Sequence, residues 1–511
     1  MFPVRATGRL RRPTPEQVLD HARRQHLTPG PEQLELLTRL IGDMVDGANR
    51  LDDLDEPTVP LRHTDRDPGR PPRAGEDPYN AFIRFCRVAG AAEGPLAGRT
   101  LAVKDSIAVA GVPMTNGGRR VPALVPAEDA TVVERLLDAG ATVIGKTNLE
   151  DLAAGLGEAS FFGAARNPVD PRFATGGSSS GSGAAVAAGA ADLALGADEG
   201  GSVRIPAAWC GLVGMKATHG LVPSYGMSYM DHTIDHIGPM TRTVADNALM
   251  LEVMAGPDWR DPQWVRGDLE PKPYTSTAGA GIEGLRIGVL TEALAPMGCT
   301  DDVLESFEAS VKTLTALGAV IEEVSVPLWS DAWSIEGPLL SVGLAMMHHS
   351  FGQGYGHLGR IDLATMAVTS AQERLGGDDL PVWVKALLLS AEWLREQYCH
   401  QYYGKAQNLR LELRRQVDEQ LSSVDLLITP TTPTVAFELL DRAASDEEMV
   451  ERFGQSINAV LNTCPLDLTG HPALTVPAGT GAHGLPVGLQ LIGRRFDEMT
   501  VYRAGFAFEG A

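Results

Sequence analysis

The spacing of apolar and polar positions predicts an α/β protein. Short apolar runs that read as strands alternate with amphipathic stretches that read as helices. The strands are predicted at 142–144, 286–290 and 426–428, and the helices at 131–139 and 301–317. Residues 284–326 read as strand, helix and returning strand, which favours a right-handed crossover. Together these patterns favour a mixed, twisted sheet flanked by helices on both faces.

The N-terminal part carries a separate, helical pattern. Thr14 and Pro15 are typical of an N-cap followed by the first helical position. A second apolar face repeats at helical spacing at Leu34, Leu37, Leu40, Ile41, Met44 and Val45. Residues 56–78 are dense in proline and charge, which is typical of an extended connector. The sequence therefore predicts a helical appendage at 1–55, a connector at 56–78 and a main domain at 79–511.

Two glycine–serine loops occur within residues 174–216, one ending in Gly177-Ser178 and the other in Gly201-Ser202. An alanine-rich run between them predicts a buried helix followed by a short strand. Glycine lets a ligand approach the backbone N–H groups closely, so a serine there suits acyl transfer. A flexible linker and a phosphate-binding loop are the alternatives. Apolar, helix-forming residues follow the first loop and no lysine follows either, which disfavours both.

A lysine, Lys104, ends the apolar run that begins GRTLAV. A lysine at such a position usually extends its ammonium group to solvent. A buried lysine has a lowered pKa and can act as a general base near neutral pH. The residue by itself leaves both interpretations open.

Three segments occur together: KDSI at 104–107, GGSS at 176–179 and GADEGGSVRIPAAWCG at 196–211. The order of these segments, their residue types and their spacing resemble those of the amidase signature family. The resemblance runs from about residue 77 to the C-terminus. It implies the amidase-signature fold, with 79–511 as catalytic domain. It also implies that Ser202 is the nucleophile, that Ser178 is a bridging serine preceded by a cis peptide bond, and that Lys104 is the base.

The resemblance further implies an oxyanion hole and residues that support it. The expected oxyanion donors are the backbone N–H groups of Glu199, Gly200, Gly201 and Ser202. The expected loop supports are Gly177, Ser179, Asp198 and Arg204. An ordinary surface ion pair is the alternative interpretation of Asp198 and Arg204.

The sequence departs from the family's commonest pattern at Ser180, Gly183, Ala197 and Glu199. Glu199, which stands where threonine is common, is the most consequential. Its carboxylate can raise the pKa of the lysine, bind a substrate amine, or point into a polar shell away from the site, and the last is our preferred interpretation. The residues that follow resemble bacterial amidases that act on carboxamides, often enantioselectively.

Residues 329–407 differ most from the generic family pattern and are rich in aromatic and methionine side chains. These are Trp329, Trp333, Met346, Met347, His348, Phe351, Tyr355, Trp383, Trp393, Tyr402 and Tyr403. Most such residues at helical spacing belong to a core. We expect some of them to roof the cleft, together with 225–230 and the Cys464-Pro465 turn. A roomy apolar pocket favours aryl or branched acyl groups.

Composition limits the class of protein. A formal net charge of −22 over 511 residues argues against a nucleic acid or an anionic membrane as the main partner. Five scattered cysteines suit reduced thiols in the cytoplasm, and neither these nor the twelve histidines show metal-ligand spacing. We expect no metal and no cofactor, no targeting or membrane-spanning segment, a small amide substrate, and a homodimer to which the N-terminal helices contribute.

Alternative functions remain open at this point. The same residues serve in an amidotransferase subunit that releases ammonia from glutamine for a partner chain, although the aromatic 329–403 stretch argues against a polar pocket. A catalytically silent interaction protein is disfavoured because Lys104, Ser178 and Ser202 are all present. An acyl-enzyme on Ser202 can also form from esters, carbamates or anilides, or pass its acyl group to another amine.

Overall fold

The structure is a computed structural model that divides into two compact units, residues 1–60 and 61–511. It describes residues 10–55, 57–119, 124–261, 263, 271–294, 297–350, 354, 356–363, 365–366, 369, 377–378, 380–441 and 444–511. No helix in these ranges has the length and apolar character needed to cross a membrane.

The first unit contains two helices, α1 (Pro15–Arg24) and α2 (Pro31–Ala48). Thr14 caps α1 as its sequence predicts: the Thr14 Oγ1 accepts a hydrogen bond from the Gln17 N–H, and the Gln17 side chain accepts one from the Thr14 N–H. On α2, Leu36, Leu40 and Met44 are each about half exposed or more. Their spacing of four residues places them on one side of the helix, as an uncovered apolar stripe.

The second unit is built on one twelve-stranded sheet. Its strands are β1 (Arg66–Arg70), β2 (Phe82–Val88), β3 (Thr100–Lys104), β4 (Thr142–Thr147), β5 (Leu193–Asp198), β6 (Val213–Lys216), β7 (His236–Thr241), β8 (Arg286–Leu290), β9 (Val320–Val324), β10 (Leu426–Pro430), β11 (Ala473–Thr480) and β12 (Pro486–Ile492). Their order is β1-β2-β4-β3-β5-β7-β6-β11-β12-β10-β8-β9, with both parallel and antiparallel pairs. The predicted mixed sheet is confirmed. Strand β1 lies in the stretch predicted as an extended connector.

Eleven further helices lie in the described part of this unit. They are α3 (Thr131–Asp138), α4 (Ser180–Ala187), α5 (Arg204–Cys210), α6 (Val244–Met254), α7 (Asp301–Ala316), α8 (Ala332–His349), α9 (Val382–Tyr398), α10 (Gln401–Ser423), α11 (Asp446–Val460), α12 (Cys464–Thr469) and α13 (Glu498–Glu509). The predicted helices correspond to α3 and α7. The unit β8-α7-β9 is the expected crossover, because β8 and β9 are parallel neighbours in the sheet.

Two adjacent strands bring the candidate site together. Strands β3 and β5 run parallel, with Val103 opposite Leu195, so Lys104 and Asp198 end the strands at the same edge of the sheet. The loop before α4 reaches this edge as well. All but the last residue of α4 are buried, and Cβ atoms are absent where packing is tightest: a Cβ on Gly181 would lie 2.2 Å from the Ala81 carbonyl oxygen. Small residues thus let the first serine loop approach both strands.

Candidate active site

Lys104 is fully buried at the end of β3 and directed at the first serine loop. Its Nζ donates to the Ser178 Oγ at 2.8 Å and to the Ala197 carbonyl oxygen at 3.3 Å. Burial lowers the pKa of Lys104 from its ordinary value, while the carboxyl groups of Glu199 and Glu150 act in the opposite direction. The side chain is therefore not the solvent-extended lysine of the alternative interpretation.

The peptide bond between Gly177 and Ser178 is cis. Gly177 has no room for a side chain, because a Cβ there would lie 2.6 Å from the Glu150 Oε2 and 2.7 Å from the Gly155 carbonyl oxygen. The next residue, Ser179, holds the loop to β5: its Oγ donates to the Ala197 carbonyl oxygen at 3.1 Å and accepts from the Ala197 N–H at 3.2 Å. The first serine loop is thus built against the end of β5.

Ser202 lies on the loop between β5 and α5 and is almost buried. Its carbonyl oxygen accepts a hydrogen bond from the Ser179 N–H at 3.3 Å, which ties the two serine loops together. The backbone at Gly201 has a φ of 131°, and a Cβ there would lie 2.2 Å from the Thr463 Oγ1. Glycine is required at this position on both counts.

A buried ion pair holds this second loop. Arg204 donates from Nη2 to the Asp198 Oδ1 at 2.8 Å and to the Asp467 Oδ2 at 2.7 Å, and all three side chains are fully buried. The guanidinium also donates to the Thr463 carbonyl oxygen and the Gln490 Oε1. Despite burial, the positive charge of Arg204 keeps the pKa of Asp198 at about 2. The pair is internal, so the alternative of a surface ion pair does not apply.

The expected oxyanion donors differ in availability. The Gly201 N–H already donates to the Asp198 Oδ1 at 2.6 Å. For the N–H groups of Glu199, Gly200 and Ser202, the described residues supply no hydrogen-bond acceptor. Among the described residues, three of the four N–H groups therefore have no acceptor, whereas the Gly201 N–H is occupied.

The Glu199 carboxyl is turned toward the site, unlike our preferred interpretation of the sequence. It lies beside the Ser202 hydroxyl and close enough to Lys104 for a strong Coulombic effect, without a hydrogen bond of ordinary geometry to any described residue. Burial raises the pKa of Glu199 to about 7. Burial likewise raises the pKa of Glu150, which also acts on Lys104, to about 8. Two carboxyls whose pKa values are raised therefore act on Lys104.

A cavity of about 80 Å³ opens next to Ser202. It is lined by Ala153, Ala154, Gly155, Leu156, Glu199, Gly200, Ser202, Met230, Trp333, Glu336, Leu340, Leu387, Phe453, Ser456, Ile457 and Val460. One wall is the backbone of two loops, and the opposite wall consists of mainly apolar side chains from α8, α9 and α11. Such a lining suits an apolar group attached to a carbonyl at Ser202.

Comparison with known proteins identifies the family. Residues 85–502 match the family described as Amidase. The chain belongs to the amidase family. This confirms the resemblance found in the sequence motifs and makes the protein an enzyme that acts on amides, either as a hydrolase or as an amidotransferase of the same family.

Individual relatives within the amidase family carry two kinds of name. The chain is 39% identical to a subunit of the glutamyl-tRNA(Gln) amidotransferase of Exiguobacterium sibiricum, covering 85% of this chain and 88% of that one. It is 40% identical to an enantioselective amidase of Rhodococcus rhodochrous, covering 86% and 84%. The solved peptide amidase of Stenotrophomonas maltophilia superimposes with a TM-score of 0.66 at 31% identity, over 82% of this chain and 83% of that one.

Some residues of the aromatic stretch at 329–407 line the cavity of this amidase-family chain, and others lie elsewhere. Trp333 lines the cavity, as does Met230 from the second expected group. Trp383 supports the wall: its Nε1 donates to the Ala154 carbonyl oxygen at 2.9 Å and its ring stacks on Phe453. The others lie elsewhere. Trp329 and Cys464 are core residues, Trp393 and Tyr402 are exposed, Met347 and His348 line a different cavity, and Phe351 and Tyr355 lie outside the described residues.

Sequence reasoning missed several residues at the site. Glu150, Glu336 and the cavity-facing residues of α11 were not singled out. A signal for α11 exists, since Ser445 and Glu448 form a capping box and Phe453, Ile457 and Val460 recur at helical spacing. That signal predicts an amphipathic helix but not the surface it covers. Glu150 and Glu336 carry no local signal of burial.

Proposed function

We propose that this chain hydrolyses carboxamides to a carboxylic acid and ammonia through an acyl-enzyme on Ser202. In acylation, the Ser202 hydroxyl attacks the amide carbonyl and passes its proton by way of Ser178 to neutral Lys104. The resulting ammonium group returns a proton by the same route to the departing nitrogen, which leaves as ammonia. Water then attacks the acyl-enzyme with the same proton transfers and releases the acid.

Two features of the site support this mechanism. The 2.8 Å hydrogen bond from Lys104 to Ser178 provides the last step of the proton route, and burial favours the neutral amine. The free N–H groups of Glu199, Gly200 and Ser202 are suited to stabilise the tetrahedral oxyanion. Each such donor is typically worth about 3 kcal/mol of transition-state stabilisation.

The observation that carries the choice of substrate is the apolar wall opposite Ser202. Trp333, Leu340, Leu387, Phe453 and Ile457 surround the space next to the nucleophile. Burying a hydrocarbon group there is favourable by about 25 cal/mol for each Å² removed from water. Apolar, aryl or branched acyl groups should therefore bind better than acetamide or formamide.

A second candidate function is the release of ammonia from glutamine as an amidotransferase subunit. The 39% identity to the Exiguobacterium protein favours it. The apolar wall disfavours it, because the polar glutamine side chain would lose hydrogen bonds to water without replacing them there. Esters, anilides and carbamates are further substrates for the same acyl-enzyme.

Ammonia release from a panel of carboxamides tests the proposal. The panel runs from acetamide through isobutyramide and benzamide to 2-phenylpropionamide and glutamine, with the Ser202→Ala variant as the blank. We expect kcat/KM to rise with the size of the apolar acyl group and the variant to release none. Activity on glutamine alone would support the amidotransferase function instead. Inactivity on the whole panel would reject carboxamide hydrolysis and direct the search to anilides, carbamates and esters.

We also propose that the chain works as a homodimer in the cytoplasm. All five cysteines are free thiols, which suits a reducing compartment. The uncovered apolar stripe of α2, formed by Leu36, Leu40 and Met44, suits contact with a second copy. Light scattering should give twice the chain mass for the wild type and a single chain mass for the Leu40→Glu/Met44→Glu variant. A wild type that is monomeric at micromolar concentration would contradict the dimer.

A further inference from the structure

Two carboxyl groups line the cavity beside the nucleophile. Glu199 comes from the nucleophile loop and Glu336 from the N-terminal part of α8. Their side chains are at most 2% exposed, and none of their four carboxyl oxygens makes a hydrogen bond of ordinary geometry with the described residues. All other described side chains lining the cavity, except for the hydroxyls of Ser202 and Ser456, are apolar. An acidic pair is thus built into an otherwise apolar pocket.

Such a pair is costly to bury without a partner. An isolated carboxylate in an apolar setting loses its hydration, and the usual compensation is a cation or several hydrogen bonds. The cation that acts most on Glu336 is Arg204, which is already bonded to Asp198 and Asp467. The cation that acts most on Glu199 is Lys104, which the proposed mechanism requires in its neutral form. Neither carboxyl therefore has a protein cation of its own.

Glu336 lies against the loop that carries Ser202, where the amide carbonyl reacts in the proposed mechanism. A Cβ on Gly200 would lie 2.7 Å from the Glu336 Oε1, so this oxygen lies directly against the loop that carries the free oxyanion donors. The Glu199 carboxyl adjoins the Ser202 hydroxyl on the same loop. Both carboxyls therefore lie close to the loop at which the amide carbonyl reacts in the proposed mechanism.

We propose that Glu336 and Glu199 bind the ammonium group of the substrate, so that the preferred substrates are amides of amino acids with apolar side chains. This inference rests on the proposed function and names its substrate class. The ammonium group lies between the two carboxyls, and the apolar side chain packs against Trp333, Leu387 and Phe453. Burial raises the pKa of Glu336 well above its ordinary value, which favours the neutral carboxyl in the empty pocket. An arriving ammonium group stabilises the ionised form and takes the place of that proton.

A series of three amides that differ at a single position tests this inference at pH 7. They are phenylalaninamide, 3-phenylpropionamide, which lacks the amine, and 2-hydroxy-3-phenylpropionamide, which has a hydroxyl in its place. For the wild type we expect kcat/KM to be highest for phenylalaninamide, by about 10- to 100-fold over the compound without the amine. In Glu336→Gln, which keeps the size of the side chain but cannot carry charge, this ratio should fall by about the same factor.

The ratio of the kcat/KM values for two substrates, measured on one enzyme preparation, does not depend on how much of the protein is folded. Glu498→Gln is the matched control: Glu498 is an equally buried carboxyl that accepts hydrogen bonds from Thr218 and does not line the cavity. For Glu498→Gln, the ratio of kcat/KM between phenylalaninamide and 3-phenylpropionamide should equal that of the wild type. If Glu336→Gln does not fold, competitive inhibition of the wild-type enzyme is measured instead. We expect 2-phenylethylamine to have an inhibition constant at least about 10-fold lower than that of 2-phenylethanol.

The outcomes separate this inference from the proposed function. Equal kcat/KM for phenylalaninamide and 3-phenylpropionamide overturns ammonium binding but leaves carboxamide hydrolysis intact. Equal preference for the hydroxyl and the amine also overturns it, because the carboxyl then acts as an ordinary hydrogen-bonding group. Hydrolysis of none of the three, at the level of Ser202→Ala, overturns the proposed function and this inference together.

Discussion

Replacing Lys104 with alanine should lower kcat/KM for carboxamides by about 10²- to 10⁴-fold, the usual contribution of a general acid–base group. The loss should be smaller, by at least about tenfold, for the matched phenyl and ethyl esters of the same acid. An alkoxide or phenolate leaves with little help from a proton, whereas an amide nitrogen must be protonated before its bond to carbon breaks. The term kcat/KM reports the acylation step, in which amide and ester differ, so it is the quantity to compare.

Two further variants complete that comparison. Ser202→Ala should lose amide and ester turnover to the same extent, because both acyl groups need the nucleophile. Lys104→Met keeps the apolar stem of the lysine in its buried position, so it separates loss of the amine from the cavity that alanine leaves. Equal losses on ester and amide in both Lys104 variants would count against Lys104 as the acid that protonates the leaving group.

Replacing Arg204 with methionine should destabilise the fold by about 3–5 kcal/mol, because it leaves the buried charge of Asp198 without its partner. Asp198 and Asp467 both depend on this guanidinium, and all three side chains are fully buried. The variant should also be nearly inactive, because Asp198 is held by Arg204 and in turn holds the Gly201 N–H that shapes the nucleophile loop. The free energy of unfolding from urea denaturation measures the first effect, and kcat/KM the second.

Arg172 offers the matched surface control. It pairs with Asp170 at 2.6 Å, but its side chain is 68% exposed. Exposed pairs of this kind contribute little to stability, so Arg172→Met should unfold at the same urea concentration as the wild type. Arg204→Lys, which keeps the charge but not the forked geometry, should lie between the wild type and Arg204→Met. An Arg204→Met variant as stable as Arg172→Met would show that the buried pair does not hold the loop.

Elements with a strong local pattern could be predicted from the sequence. The crossover at 284–326 appears as β8, α7 and β9, with β8 at the predicted residues, because strand and helix periodicities depend only on near neighbours. The meeting of Lys104 with the first serine loop follows from the family motifs, and the structure shows its physical basis in the parallel pairing of β3 and β5. Such features were accessible because each is signalled by short segments, either a local periodicity or a family motif.

Features that depend on distant contacts were not accessible. The Gly201 N–H is occupied by Asp198 because of the shape of its loop. That shape also involves Thr463 and Asp467, which lie more than 250 residues further along the chain. For Glu336, the sequence shows only a carboxyl near the start of a helix, and the tertiary fold buries it against Gly200.

The two walls of the cavity differ in what mutation can change. The wall beside Ser202 is formed by loop residues, and a side chain added at Gly200 would collide with Glu336. The opposite wall is made of side chains such as Leu340, Leu387 and Ile457 on separate helices. Directed evolution can therefore reshape the acyl pocket by substitutions on α8, α9 and α11 while the reaction chemistry stays constant. Substrate range and catalytic power are, in this fold, separately adjustable traits.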